Sequence, residues 1–171
     1  MDIDCGVCRL RAWRAGDEEP LLRHANNRAI WLQLRDRFPH PYTRSDAEAW
    51  IAFCLTEAEP ILQFAIEYRR EAIGGIGFER HIDVHRFTAE VGYWIAEPFW
   101  GQGIASAALQ RATDYGFNQL NLQRIEAMVF DNNTASARVL EKNGYSFEGR
   151  LRRSVFKDGR FIDCLLYSRL S

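Results

Sequence analysis

No apolar run in the sequence approaches the ~20 residues that a bilayer-spanning helix requires, so no membrane partner is expected. The N-terminus, Met1-Asp2-Ile3-Asp4-Cys5, lacks both the basic start and the apolar stretch of a secretory signal. Cysteine is scarce: four in 171 residues cannot staple a chain of this length, which points to a reduced, cytoplasmic setting. Net charge is nearly absent as well, with 22 Lys and Arg against 23 Asp and Glu. Nucleic-acid binders rest on clustered cations that neutralise phosphates, so no nucleic-acid partner is expected. Internal repeats, low-complexity tracts and long linkers are also missing. What is present is an ordinary globular composition, 47% apolar, in a length that suits one domain over residues 1–171.

Alternation from Val7 to Arg14 predicts a first strand. Asp17 is a candidate cap for a helix over Glu18 to Asn26, and a second helical stretch covers Arg28 to Leu34. The two prolines of Phe38-Pro39-His40-Pro41-Tyr42-Thr43 make a loop. Ser45, three residues before Glu48, resembles a capping box opening a helix through Trp50, Ile51 and Cys54. Strands follow over Ile61 to Tyr68 and Ala72 to Glu79, joined at Arg69-Arg70-Glu71. The polar connection from His81 to Arg86 leads to a strand over Thr88 to Ile95. Apolar residues at helical spacing predict a helix from Ile104 to Leu120. A strand over Arg124 to Phe130 precedes a helix from Asn133 to Lys142, ended by Gly144. Two last strands, Tyr145 to Phe156 and Phe161 to Ser168, meet through Lys157-Asp158-Gly159-Arg160, where Asp-Gly signals a hairpin. The fold class is a mixed-sheet α/β (α+β) protein.

The sharpest segment is the strand ending Trp94-Ile95, followed by Pro98, Trp100-Gly101-Gln102-Gly103 and the helix opening Ile104-Ala105. Free N–H groups at a helix start carry partial positive charge and cradle phosphate oxygens, and glycine lets an anion approach. A diphosphate site is the physical reading. No Gly-Lys-Ser/Thr ending exists for a nucleotide P-loop. The Rossmann pattern also fails, because Ser106 stands where its third glycine belongs. A nicotinamide-dependent oxidoreductase is therefore disfavoured.

In this segment Trp100, Gly103 and Ala105 fall in the pattern Arg/Gln-x-x-Gly-x-Gly/Ala, with Trp100 in place of Arg/Gln. Downstream, Asn133-Thr134-Ala135-Ser136 and Gly144-Tyr145 fit Asn-x-x-Ala/Ser, seven residues, Gly-Phe/Tyr. The pair resembles motifs A and B of the GNAT superfamily of acetyl-CoA-dependent N-acetyltransferases. Pro41-Tyr42-Thr43 before the Trp50 helix, Glu90-Val91-Gly92-Tyr93-Trp94-Ile95 and Asp158-Gly159-Arg160-Phe161-Ile162-Asp163 narrow the resemblance to the ribosomal-protein N-terminal acetyltransferase (RimJ/RimL-like) branch. It covers about Arg9 to Leu170. The resemblance implies a twisted, mostly antiparallel sheet of six or seven strands, helices on both faces and splayed central parallel strands. It also implies acetyl-CoA as cosubstrate with no metal, and acetyl transfer by direct attack of a primary amine. The acceptor is then a protein N-terminus or a small-molecule amine, and the chain a monomer or homodimer.

Such chemistry needs a neutral amine, although α-amines titrate near ~8 and lysine near ~10.4. It also needs an N–H donor for the oxyanion and a proton for the departing thiolate. Glu90 is the candidate base, directly or through water; its alternative is a half-exposed strand carboxylate paired with a neighbour such as Arg124. The tyrosine that many relatives carry seven residues after the motif-B Asn is Leu140 here. The resemblance assigns the thioester sulfur to Ser136 and the coenzyme arm to Asn133; the alternative makes Asn133 a helix cap and Ser136 a surface residue. Trp94, Ile95, Trp100, Gly101, Gln102, Gly103, Ile104 and Ala105 complete the expected coenzyme site, with an oxyanion donor near Trp94-Ile95. The segment Arg35 to Arg44 and the hairpin around Phe156 to Phe161 are expected to frame the acceptor. Loss of the motif-B tyrosine leaves a second class open, a catalytically weak acyl-CoA-binding or sensing protein. Cys5-x-x-Cys8 has no matching second pair for a metal, and His81, His85 and the Arg150, Arg152, Arg153 cluster read as structural or solvated groups.

Overall fold

The computed structural model describes every residue from Met1 to Ser171. The chain order is β1 (Asp2–Asp4), β2 (Arg9–Ala12), α1 (Glu18–Ala25), α2 (Arg28–Trp31), α3 (Arg44–Leu55), β3 (Gln63–Tyr68) and β4 (Glu71–Arg80). It continues with β5 (Thr88–Ile95), α4 (Ile104–Asn118), β6 (Arg124–Phe130), α5 (Thr134–Lys142), β7 (Ser146–Lys157) and β8 (Arg160–Leu170). One eight-stranded sheet runs β1-β2-β3-β4-β5-β6-β8-β7. All neighbours are antiparallel except β5 and β6. The strand beyond the expected six or seven is β1. Its Asp-Ile-Asp sequence carries little β propensity and is held at the edge by pairing with β2 and by Arg9 on Asp2 at 3.3 Å.

Two further expectations are corrected. Asp17 occupies the N-cap position of α1 but makes no side-chain cap bond. Its carboxylate is drawn instead into a buried fork with Arg11, at 2.7 and 2.8 Å, and Glu67 joins the same guanidinium at 2.5 Å. The α3 capping box belongs to Thr43 and Asp46, not Ser45 and Glu48: the Thr43 N–H donates to Asp46 at 2.8 Å and the Thr43 hydroxyl accepts from the Asp46 N–H. The hairpin between β7 and β8 turns through Asp158 and Gly159, both at positive φ, as an Asp-Gly turn requires.

The sheet is covered on both faces. On one, α4 lays Ile104, Ala108, Leu109, Ala112 and Tyr115 against it, with Leu140 of α5 in the same cluster. A Cβ at Gly116 would come within 2.7 Å of Ile125 Cδ1, so the helix packs there at glycine distance. On the other face, Leu21 and Ala25 of α1 and Ala47 and Ile51 of α3 meet Trp13 and Ala65. β3 serves both clusters by alternation, Phe64 and Ile66 toward the first and Ala65 toward the second. Each fully buried large side chain contributes roughly 1.5–3 kcal/mol. No helix is long and apolar enough to cross a membrane.

The feature that positions the site is an interruption. Strands β5 and β6 pair only at Thr88↔Arg124, Ala89↔Ile125 and Glu90↔Glu126. Beyond Glu90 each strand stays with its other neighbour, β5 with β4 and β6 with β8. The sheet therefore splits along its only parallel seam.

Candidate active site

A cleft of about 1750 Å³ opens where the strands part, and every residue predicted for the site lines it, from Glu90 and Trp94-Ile95 through Trp100–Ala105 to Asn133 and Ser136. Strand alternation divides these residues between two walls. Val91, Tyr93 and Ile95 face α4 and α5, whereas Glu90, Gly92 and Trp94 face the segment between α2 and α3; Trp94 packs there on Phe38 at 5.5 Å.

The first wall is built largely from backbone and hydroxyl groups. Gly101 and Gly103 adopt φ of +75° and +79°, and no atom would crowd a Cβ at either position. Conformation, not space, demands glycine there. Gly103 opens α4 without a side-chain cap, leaving first-turn N–H groups free for an anion. Ile104 is buried and offers only its backbone. Trp100 Nε1 donates to the Ile95 carbonyl at 2.6 Å, and the Gln102 amide donates to the Pro98 carbonyl at 3.1 Å; together they fold the loop across the end of β5. Because the Ala96 N–H donates to Ile73 of β4, the strand period turns the backbone N–H groups of Tyr93 and Ile95, not that of Trp94, toward the gap.

Asn133 caps α5 by accepting from the Ser136 N–H at 3.1 Å, and the Ser136 hydroxyl lies 2.9 Å from the Tyr93 hydroxyl. Burial pushes the Tyr93 phenol well above its usual range, despite its bond to Ser136, and the same hydroxyl donates to the Ser136 carbonyl at 3.3 Å. At the far end of α5, Asn143 donates to the Ser106 hydroxyl at 2.9 Å and holds that helix against the start of α4. Arg138 and Lys142 line the cleft as well. Leu140 lies fully buried, so the motif-B tyrosine has no counterpart at that position.

The second wall is charged. Glu90 is paired with Arg35, not with Arg124; Arg124 binds Glu126 and Glu148 instead. Arg35 Nη2 contacts both Glu90 oxygens, and its Nη1 reaches Glu79 at 3.3 Å. Burial pulls the Arg35 guanidinium down, but Glu90 and Glu79 more than offset this and leave it above its ordinary value. Asp36 accepts from Lys157 of β7 at 2.6 Å, and that ammonium lies 3.7 Å from the Trp31 ring centroid. Arg37 donates to Glu79 at 2.8 Å and holds that carboxyl below its ordinary value. Three consecutive side chains thus tie the segment to β5, β7 and β4, across both banks of the cleft. Gln33, just before them, leaves its Oε1 buried without a hydrogen-bond partner. The hairpin joins the frame through Phe156 and Lys157, with Phe161 outside the lining but packed on Phe156 at 5.0 Å.

Sequence reasoning passed over Tyr93, Gln33, Arg138 and Lys142, and placed Arg35 at the edge of the acceptor frame without linking it to Glu90. Tyr93 had a signal in its strand parity; Arg35 lies 55 residues from Glu90 in a loop, where no periodicity links them. Outside the cleft, Cys5 and Cys8 flank a tight turn closed by the Cys5 N–H on the Cys8 carbonyl. His81 stands 3.6 Å from Glu126, and Arg150 forks between Asp131 and Asp163.

Residues 8–146 match the acetyltransferase (GNAT) domain family. The chain belongs to this family. It is 41% identical over 109 residues to the uncharacterized N-acetyltransferase YoaA of Bacillus subtilis (strain 168), a match covering 63% of this chain and 61% of that relative. The match thus spans less than two thirds of the curated relative's length. Among solved structures, Mycobacterium smegmatis RimJ in complex with CoA-disulfide is 30% identical with TM-score 0.82, covering 98% of this chain and 83% of that one. Spermidine N-acetyltransferase from Vibrio cholerae, in complex with CoA and spermine, is 28% identical with TM-score 0.79, covering 96% and 95%. The GNAT fold and the RimJ-like resemblance drawn from the motifs are borne out.

Proposed function

We propose that this protein transfers the acetyl group of acetyl-CoA to a primary amine by direct attack, and that the amine is a peptide N-terminus. The observation that carries the reading is the split seam: an uncapped glycine loop and a hydroxyl pair on one wall face a carboxylate on the other. The diphosphate is held by N–H groups of Gly101 to Ala105, with Arg138 and Lys142 adding positive charge. The pantetheine arm runs along the unpaired edge of β5. The amine nitrogen attacks the thioester carbonyl, and the N–H groups facing the gap at Tyr93 and Ile95 are the candidate oxyanion donors. As the C–S bond breaks, the Ser136 hydroxyl, backed by Tyr93, donates a hydrogen bond to the departing thiolate, which takes up a proton released by the attacking amine. Glu90 receives the proton of the amine, directly or through water.

The Vibrio relative is a spermidine acetyltransferase, whereas the RimJ/RimL-like resemblance implies protein N-termini. Around Glu90 the acceptor wall pairs Arg35, Arg37 and Lys157 with Asp36, Glu79 and Glu90, so no carboxylate among these is left without a cation, although Asp46 and Glu57 also line the cleft. A polyamine, with several ammonium groups, calls for surplus carboxylate. A peptide brings one ammonium and a neighbouring N–H that suits the unpartnered Gln33 oxygen. The test is thiol release from acetyl-CoA, with mass analysis of the acceptor, for tripeptides with free α-amines against spermidine. Acetylated tripeptide supports the reading; acetylated spermidine alone replaces the acceptor, and no acetylated amine of either class overturns the transferase assignment.

A further inference from the structure

Glu79 and Glu90 stand directly opposite each other on β4 and β5. Like charges in that position repel, and the Arg35 guanidinium lies between them. One nitrogen, Nη2, serves both oxygens of Glu90, 2.5 Å from Oε2. The side chain of Glu90 is 17% exposed and that of Arg35 43%, so the cation is the partner free to leave. A landing place already exists. Arg35 Nη1 and Arg37 Nη2 both use Oε2 of Glu79, and a carboxylate offers further lone pairs on its other oxygen. The backbone need not move, because the Leu34 N–H on the Trp31 carbonyl holds the chain before Arg35, and Asp36 on Lys157, Arg37 on Glu79 and Phe38 on Trp94 hold it after.

We propose that Arg35 is a displaceable counter-ion and a specificity-determining residue: its guanidinium occupies the seat on Glu90 that the acceptor's ammonium takes, and it moves to Glu79 when the acceptor arrives. The exchange swaps one cation for another on Glu90 itself, and the wall then holds one positive charge more, which leaves with the amine's proton. A neutral nucleophile such as water or an alcohol cannot replace Arg35, so Glu90 stays occupied until a primary ammonium enters. The identity of the incoming group rests on the transferase reading; the exchange itself needs no acetyl-CoA.

The probe is methylammonium, titrated at constant ionic strength while the side-chain carboxyl ¹³C resonance of Glu90 is followed, with tetramethylammonium as a cation of equal charge and no N–H donor. Arg35→Ala removes the resident competitor and is expected to bind methylammonium about tenfold or more tightly than the parent. Arg35→Gln, which keeps a polar side chain in the loop, shifts in the same direction. Arg35→Gln combined with Glu90→Gln abolishes the binding, read from neighbouring backbone amides. The proposal is overturned if neither single variant gains affinity, if tetramethylammonium acts equally, or if binding survives in the double variant. Any of these results leaves the transferase reading standing, since acetyl-CoA affinity is measured separately; loss of acetyl-CoA binding in the parent would remove that reading and leave the exchange.

Discussion

The two walls of the cleft are made of different materials. The wall proposed for the coenzyme uses glycine backbone, an uncapped helix start and a serine–tyrosine pair. The acceptor wall is a lattice of ion pairs from segments far apart in the chain. A coenzyme presents the same phosphates and thioester in every turnover, which fixed N–H groups meet without rearrangement. An acceptor arrives as a cation and must shed a proton, which calls for charges that can trade places.

That contrast makes graded predictions. The largest effect is expected where the walls meet the reacting atoms: Ser136→Ala and Glu90→Gln each slow turnover about 100-fold, while calorimetry finds acetyl-CoA affinity nearly unchanged. Variants as active as the parent would remove both residues from the mechanism. Next comes Gly103→Val, which forces a β-branched residue to φ +79° at a cost of about 1–3 kcal/mol. It weakens acetyl-CoA binding roughly tenfold, measured by titration; unchanged affinity would mean that the loop does not hold the coenzyme in this conformation. Tyr93→Phe removes the donor behind Ser136 and lowers kcat about tenfold without altering KM for acetyl-CoA; a change in KM alone would make Tyr93 a binding group. The smallest effect concerns pH. Glu79 has a folded pKa held below its unfolded value by Arg37, so its contribution to stability is complete above the unfolded value and is lost as pH falls through the lowered one. Urea unfolding of the parent and of Glu79→Gln should therefore converge at the acid end and separate above it; a constant difference across pH would contradict the ion pair.

The same contrast explains what the sequence disclosed. The wall proposed for the coenzyme is local: Trp100 to Ala105 and Asn133 to Ser136 are short contiguous runs whose spacing survives in one dimension; on the opposite wall, Asp158-Gly159 marks the last hairpin by turn chemistry alone. Where side chains had a choice of partner, the one-dimensional reading failed. Asp17 had the residue type of a cap but was taken by Arg11, and Thr43 formed the capping box expected of Ser45. Glu90 was found on its strand, yet its partner came from a loop instead of from Arg124. Charge pairs across a sheet depend on which segments the fold brings together, and neither period nor propensity encodes that. Edge strand β1 escaped because pairing, not propensity, makes it a strand.

Calorimetric titration of the purified protein with acetyl-CoA, with NAD and ATP as controls, tests the central claim that the split seam is a coenzyme cleft. The account predicts one acetyl-CoA per chain at micromolar affinity, with silence from the other two. No heat with acetyl-CoA at millimolar concentration, or equal binding of NAD, would contradict it.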